Sequence, residues 1–137
     1  MTGTGEPTGD VVRAYICALN SHDRDAISAA VTDDFVNEHI AVRGHSLVGR
    51  AAYRERLAGF LTTFQSLAYE IEDVIADGDR AAVAYTMRAD HCGADGRADR
   101  RPIEVRGMFR FTVRGGLIAH RVDYRDSATV EQQLGHR

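Results

Sequence analysis

The sequence predicts an α+β fold in which a curved, cone-shaped antiparallel sheet wraps around three helices and encloses a hydrophobic pocket. In the first half of the chain, apolar residues recur at helical spacing, whereas the second half alternates apolar and polar residues with a period of two. Glycine-containing turn signals, Asp77-Gly78-Asp79 and Gly115-Gly116, separate the alternating runs. Helices followed by a consecutive set of antiparallel strands are typical of the α+β class.

Three helices are predicted in the first half of the chain. The first begins near Thr8 or Asp10 and carries an apolar stripe formed by Val11, Val12, Tyr15, Ile16 and Leu19. A short second helix follows Asp23, a plausible N-cap, and the third runs roughly from Arg50 to Phe64. Residues 32–34 are expected to form a turn, and residues 35–40 a short strand. Residues 1–9 are expected to be a disordered leader, and residues 10–137 one domain.

The second half of the chain predicts an antiparallel meander of three or four strands. The first strand begins at Leu67, with Tyr69, Ile71, Asp73 and Ile75 on one face. Further strands are expected at Arg80–His91, at Pro102–Val113 and after Gly116, and a helical turn at Ser127–Leu134. A strongly curved sheet of this kind would leave a conical cavity against the helices.

Composition narrows the class of protein. The 137 residues fit one domain, and the 44% of apolar residues suffice for a core. The net charge of −3 provides no basic footprint for nucleic acid, and no apolar run approaches the ~20 residues of a membrane span. The first residues lack the pattern of a signal peptide, so a cytoplasmic protein without a nucleic-acid or membrane partner is expected.

No metal or other cofactor is expected from the cysteines and histidines. Cys17 and Cys92 belong to no CxxC pair. The acidic and imidazole residues that could be considered as metal ligands match no known ligand spacing; they are Glu38, His39, His45 and His91.

Two aspartates within strands, Asp90 and Asp123, direct the functional hypothesis. A buried carboxylate is energetically costly and therefore needs a reason. If Asp90, Arg88 and Asp123 meet in the cavity, Arg88 would keep one carboxylate ionised while the other takes up a proton in apolar surroundings. The alternative is an Arg88–Asp90 pair on the surface of the sheet, with Asp123 partly solvated near a strand end.

Strand alternation adds a constraint on this pair. Neighbouring residues of a strand point to opposite faces, so only one of Asp90 and His91 can line the cavity unless a bulge intervenes. His91 is therefore the alternative partner of Asp123. The apolar lining is expected from Tyr15, Phe35, Tyr53, Leu57, Phe60, Met108 and Phe111.

The order of elements and three motifs resemble the nuclear transport factor 2-like superfamily, which includes SnoaL-like polyketide cyclases, limonene-epoxide hydrolases and ketosteroid isomerases. The motifs are the segment 11–23 followed by Asp33-Asp34-Phe35, the Gly44…Gly49-Arg50 loop before a helix, and a Gly-Leu-Ile strand followed by Asp126…Gln133-Leu134-Gly135. The resemblance covers about Val11 to Gly135 and implies the cone fold.

Two subfamilies are similar to the sequence in different ways. The resemblance to limonene-type epoxide hydrolases lies in Phe35-Val36-Asn37, Arg88-Ala89-Asp90 and Arg121-Val122-Asp123-Tyr124, with Phe35 where that family has tyrosine. The resemblance to SnoaL-like cyclases lies in Asp90-His91-Cys92-Gly93, Asp123 and Gln133-Leu134-Gly135. Because Phe35 lacks a hydroxyl to position water, cyclisation or isomerisation ranks ahead of hydrolysis.

The resemblance implies a cofactor-free general acid–base enzyme that acts on a hydrophobic polyketide- or terpenoid-like small molecule by cyclisation, isomerisation or epoxide opening. Asp123 would be the principal acid or base, Asp90 its partner oriented by Arg88, and Asn37 would position the substrate oxygen or water. A non-catalytic hydrophobic-ligand-binding or dimeric interaction protein of the same fold is the alternative. The resemblance also implies a homodimer formed through the outer face of the sheet.

Overall fold

The computed structural model describes residues 6–40, 46–93, 96–125 and 127–135. Gly44, His45 and Asp126, which carry parts of the predicted motifs, lie outside these ranges. The elements along the chain are α1 (Glu6–Ser21), α2 (Arg24–Ala29), β1 (Val31–His39), β2 (Ser46–Val48), α3 (Arg50–Thr63), β3 (Phe64–Asp77), β4 (Arg80–His91), β5 (Arg101–Arg114), β6 (Leu117–Arg125) and α4 (Ser127–Gln133).

The strands form one curved, unclosed sheet in the order β2-β1-β6-β5-β4-β3. Strands β3 to β6 form the predicted antiparallel meander, and Gly115 and Gly116 turn its last hairpin with φ values of 60° and 78°. Strand β1 pairs in parallel with β6, which the sequence did not predict. The α+β class and the cone-shaped sheet with helices in the N-terminal half are confirmed.

Helix α1 packs on the sheet through its predicted stripe, of which Val12, Tyr15, Ile16 and Leu19 are buried. The helix begins at Glu6, so a disordered leader of residues 1–9 is wrong for residues 6–9. The reason is the buried Thr8, whose hydroxyl donates to the Gly78 carbonyl at 2.6 Å and fixes the first turn to the β3–β4 hairpin. Asp23 caps α2 as predicted, because its Oδ1 accepts from the backbone N–H of Asp25 and Ala26.

Bulges change which residues face the core. In β3, Ile71 pairs with Tyr85 but Asp73 pairs with Ala84, so Glu72 is an extra residue in the ladder. Beyond this bulge Val74 and Ala76 pack on the core, and Ile75 is 64% exposed. The prediction that Ile75 shares the face of Tyr69 and Ile71 is therefore wrong. The predicted turn at residues 32–34 lies within β1, where the pairing with β6 also shifts.

The outer face of β3, β4 and β5 is charged. Arg88 pairs with Glu70 at 3.2 Å and with Glu104 at 2.9 Å, and Arg106 pairs with Glu72 at 2.8 Å. Such exposed pairs contribute little to stability, so their main effect is to keep this face of the sheet hydrated. The homodimer expected through this face stays a prediction.

The described part of the chain contains no helix with the length and apolarity that a membrane span requires. Over the same residues, no three histidine, cysteine, aspartate or glutamate side chains come together in a way that could hold a metal ion.

Candidate active site

A cavity of about 450 Å³ lies between the helices and the inner face of the sheet, within the ~300–1,000 Å³ typical of small-molecule sites. Its apolar wall is formed by Leu19, Leu47, Tyr53, Leu57, Phe60 and Tyr69. Its polar side chains are Asn37, His39, Arg56, Thr63, Arg121, Asp123 and Arg125. An apolar cavity with a few polar groups is suited to a hydrophobic molecule that carries a small number of polar functions.

The parallel pairing of β1 with β6 places most of the polar groups. In this register Asn37 lies opposite Arg121, and His39 lies opposite Asp123. Alternate residues of a strand share a face, so Arg121, Asp123 and Arg125 line the cavity as a row along β6. The polar part of the site therefore depends on one long-range strand pair.

Asp123 is the most buried of these polar residues, with 1% of its surface exposed. The Tyr85 hydroxyl donates to Asp123 Oδ1 at 2.6 Å, and Oδ2 lies 3.5 Å from His39 Nδ1. Burial raises the pKa of Tyr85 well above its usual value, and the negative charge of Asp123 raises it further. The Tyr85 hydroxyl therefore stays protonated and donates a hydrogen bond that orients one oxygen of Asp123.

Gly107 makes this contact possible. It lies on β5, between Tyr85 on β4 and Asp123 on β6, and pairs directly with Tyr85. A Cβ atom at position 107 would lie 2.5 Å from the Tyr85 hydroxyl oxygen and 2.7 Å from Cζ. The missing side chain thus leaves the space through which Tyr85 reaches across β5 to Asp123.

Arg121 is a cation enclosed by aromatic rings, and only 6% of its surface is exposed. Its Nε donates to Asn37 Oδ1 at 3.0 Å and its Nη1 to the Tyr15 hydroxyl at 2.8 Å. Its Cζ lies 5.0 Å from the centroid of the Phe109 ring, within cation–π range. Burial lowers the pKa of Arg121, but nearby Tyr15, Tyr53 and Asp123 raise it by more. The guanidinium therefore stays charged.

Two N–H donors of cavity-lining residues have no partner within the described part of the protein. Within the described ranges, Arg121 Nη2 and Asn37 Nδ2 have no hydrogen-bond partner, and no fully buried side-chain nitrogen or oxygen lacks one. Both nitrogens therefore keep some accessible surface, and both residues line the cavity. Together with Asp123 they present two donors and one carboxylate to a bound molecule.

Asp90 and Arg88 do not reach this cavity, and their predicted placement there is wrong. Asp90 pairs with Arg100 at 3.1 Å, and Arg88 pairs with Glu70 and Glu104 on the outer face. The physical reason is strand alternation, because the neighbours Met87 and Ala89 take the inner face of β4. Asp90 and Arg88 thus form the surface arrangement that was the alternative.

His91, the alternative partner, has the inward parity of β4 but does not line the cavity. It is half-buried near the end of the strand, and its ring packs edge-on against Phe64 at 5.2 Å. His91 is therefore no partner of Asp123 in this arrangement.

The apolar residues predicted to line the cavity divide into three groups. Tyr53, Leu57 and Phe60 line it, whereas Tyr15, Phe35 and Phe111 are buried in the core behind it. Met108 is 42% exposed, so its predicted place in the lining is wrong. It lies on the opposite face of β5 from the buried Phe109 and Phe111, because alternate residues of a strand share a face.

Sequence reasoning missed Arg121, Arg125, His39 and Tyr85 as site residues. A signal for the first two existed, because Asp123 is predicted to face inward and residues 121 and 125 share its parity. His39 was considered only as a metal ligand. Tyr85 had no usable signal, because its contact with Asp123 crosses an intervening strand at Gly107.

Comparison with known proteins gives a consistent result for the fold. The model of the family described as SnoaL-like domain matches residues 12–121. No curated protein matches this sequence.

Several solved structures are similar to this chain. A candidate SnoaL-like polyketide cyclase from Shewanella denitrificans is 17% identical with a TM-score of 0.84, over 95% of this chain and 98% of that one. A candidate polyketide cyclase from Xanthomonas campestris is 23% identical with a TM-score of 0.78, over 96% and 99%. A protein from Catenulispora acidiphila with a ketosteroid isomerase-like fold, in complex with trimethylamine, is 20% identical with a TM-score of 0.80, over 93% and 94%. At these identities the similarity establishes the fold alone.

Proposed function

We propose that this chain, which belongs to the family of SnoaL-like domains, is a general acid–base enzyme that moves a proton next to a carbonyl group of an apolar substrate. Cyclisation and isomerisation are the reactions that this step serves. The observation that carries the proposal is the buried carboxylate of Asp123 beside the cavity-facing donors of Arg121 and Asn37.

The proposed step is enolisation. The substrate carbonyl oxygen accepts hydrogen bonds from Arg121 Nη2 and Asn37 Nδ2, and Asp123 Oδ2 takes a proton from the adjacent carbon. The electron pair of the broken C–H bond forms the C=C bond of the enolate. The negative charge develops on the enolate oxygen beside the Arg121 cation. A preorganised donor of this kind contributes roughly 10²–10³ in rate, and a positioned base roughly 10²–10⁴.

The enolate has two productive outcomes. Return of the proton from Asp123 to a different carbon of a conjugated enolate completes an isomerisation. Attack of the enolate carbon on a second carbonyl forms a C–C bond and an alkoxide, which takes the proton back and completes a ring closure. His39, 3.5 Å from Asp123 Oδ2 and 28% exposed, is placed to exchange a proton between this carboxylate and solvent.

Epoxide hydrolysis has less support from the same geometry. Among the described residues, Asp123 is the one carboxylate that lines the cavity, because Asp90 lies on the outer face. Phe35 is fully buried and provides no hydroxyl to position a water molecule. A second acid for epoxide opening is therefore missing from this arrangement.

Exchange of α-protons tests the proposal without knowledge of the natural substrate. The aromatic ketone 2-tetralone is incubated with the protein in D₂O, and loss of its α-proton signals is followed by NMR. We expect wild-type protein to exceed the buffer rate and Asp123→Asn to lower the catalysed rate by on the order of 10² or more, with ketone binding retained. Asp90→Asn, the same substitution on the outer face, is the matched control and should keep the wild-type rate.

Two results would contradict the proposal. An Asp123→Asn protein with wild-type exchange would remove Asp123 as the base. A wild-type protein that binds the ketone without any exchange above buffer would favour a non-catalytic binding protein instead.

A further inference from the structure

The charges on the cavity wall are unbalanced. Among the described residues that line the cavity, Arg121 is buried, Arg125 is half-buried and Asp123 is the one carboxylate, whereas Arg56 of α3 is exposed. Positive charge in a partly desolvated, apolar cavity is costly unless an anion accompanies it. Clefts lined by charge of one sign also concentrate ligands of the opposite sign.

Arg125 is held differently from the arginines on the outer surface. Among the described residues, six other arginines form ion pairs with aspartate or glutamate; they are Arg50, Arg54, Arg88, Arg100, Arg106 and Arg114. Arg125 instead donates from Nη1 to the Met87 sulfur at 3.4 Å, and its Cζ lies 6.0 Å from the Phe64 ring centroid. Within the described ranges it forms no ion pair with a carboxylate. A thioether is a weak hydrogen-bond acceptor, so most of the hydrogen-bonding capacity of this guanidinium is unused.

The row along β6 gives this cation a position relative to the reacting groups. Arg121, Asp123 and Arg125 are alternate residues, so their backbone positions are about 7 Å apart along the strand. Arg121 is buried, whereas Arg125 is half-buried. Arg125 is therefore on the opposite side of Asp123 from the two carbonyl-binding donors.

We propose that the substrate is an apolar keto acid whose carboxylate binds Arg125. This inference rests on the proposed function, since it assigns the second end of a substrate whose carbonyl is bound by Arg121 and Asn37. A guanidinium matches a carboxylate through two parallel N–H donors, which gives a charged ligand both affinity and orientation.

Matched charged and uncharged ligands test the proposal. The affinities of 2-naphthoate and 2-naphthamide, which share one ring system, are measured by isothermal titration calorimetry at constant ionic strength. We expect wild-type protein to prefer naphthoate by about tenfold, the scale of one charge-assisted hydrogen-bond pair. Arg125→Gln should reduce the preference to about twofold or less, mainly through weaker naphthoate binding, and Arg125→Lys should keep most of the preference.

Arg110→Gln is the control, because Arg110 is exposed and contacts the Tyr124 hydroxyl. This variant should keep the wild-type preference. Equal affinity of the two ligands for wild-type protein, or a preference that survives Arg125→Gln, would overturn the inference. If Arg125→Gln does not fold, the wild-type ratio and the Arg125→Lys ratio decide.

The two proposals fail separately. The preference for naphthoate is an equilibrium property, so its absence overturns the keto-acid substrate and leaves α-proton exchange by Asp123 unaffected. Wild-type exchange in Asp123→Asn would overturn the enzymatic mechanism while the ratio of the two affinities remains.

Discussion

At the scale of single residues, the site depends on how a buried carboxylate is stabilised. Asp123 has 1% of its surface exposed and accepts a hydrogen bond from Tyr85. Its charge is accompanied by Arg121, which is itself held by Asn37 and Tyr15. Each polar group thus satisfies another, as the low dielectric of a protein interior requires.

Tyr85→Phe tests the hydrogen bond to Asp123 directly. Removing the hydroxyl leaves Oδ1 of a buried carboxylate without its donor, so we expect the free energy of unfolding to fall by about 1–3 kcal/mol. Urea denaturation measures the change. Tyr124→Phe removes an exposed hydroxyl 3.3 Å from Arg110 and should change stability by less than about 0.5 kcal/mol. Equal losses in the two variants would show that the Tyr85–Asp123 contact adds nothing specific.

At the scale of elements, strand β5 contributes to the site because Gly107 has no side chain. Gly107 allows Tyr85 of β4 to contact Asp123 of β6, so three neighbouring strands are coupled at one residue. A side chain at this position would push the tyrosine away from its acceptor.

Gly107→Ala is therefore expected to damage both stability and activity. The added methyl would lie 2.5 Å from the Tyr85 hydroxyl oxygen and 3.0 Å from the Tyr124 carbonyl, so overpacking should cost about 1–3 kcal/mol. Displacement of Tyr85 should also slow the exchange of the α-protons of 2-tetralone that the protein catalyses. Gly9→Ala, within α1 and with no atom within 4 Å of its new methyl, should stabilise the protein by up to about 1 kcal/mol. Unchanged exchange in Gly107→Ala would argue against a role for the Tyr85 contact.

The elements also show what the sequence can predict. The alternation of apolar and polar residues predicted β4 and placed both of its ends correctly, at Arg80 and His91, because no bulge interrupts that strand. The same reasoning failed past Glu72, since a bulge depends on the partner strand and leaves no mark in the period. Asp90 and Asp123 look alike in sequence, but Asp90 belongs to the polar face of β4. The more apolar alternate set, Val83 to Ala89, was the available sign of the inner face.

At the scale of the whole molecule, buried tyrosines make the free energy of unfolding depend on pH in the alkaline range. Burial raises the pKa of Tyr15 and of Tyr85 well above the usual value, and raises the pKa of Tyr69 to about 12. In the unfolded chain each phenol ionises near pH 10. Between these values the folded protein keeps protons that the unfolded chain has lost, so unfolding becomes easier as pH rises.

We expect the free energy of unfolding to be insensitive to these tyrosines below pH 10 and to fall above it. Each contributes about 1.4 kcal/mol per pH unit in that range, and the contribution of Tyr69 ends near pH 12. Urea denaturation between pH 9 and pH 11.5 measures the slope. Tyr69→Phe should make the slope shallower by about 1.4 kcal/mol per pH unit. An unchanged slope would mean that Tyr69 ionises without unfolding.

The fold class and the antiparallel meander were predictable from motifs and element order, whereas the sheet as a whole and the site were predictable only in part. Asn37 and Asp123 were named from the sequence, and both line the cavity. The position of β1 beside β6 could not be predicted, because parallel pairing leaves no local signal in either strand. That pairing brings Arg121 to Asn37 and His39 to Asp123, so the missed partners share one cause.

The pairing of β1 with β6 also has a consequence during protein synthesis. Arg121 and Asn37 are separated by 84 positions, so the first cavity groups leave the ribosome long before their partners. Contacts so distant along the chain form late, after the loop between them has closed. Until β6 emerges, a nascent chain contains the segments of α1 to α3 and of β1 to β5 but lacks Arg121 and Asp123. The proposed acid–base reaction would therefore begin only after β6 has been synthesised and has paired with β1.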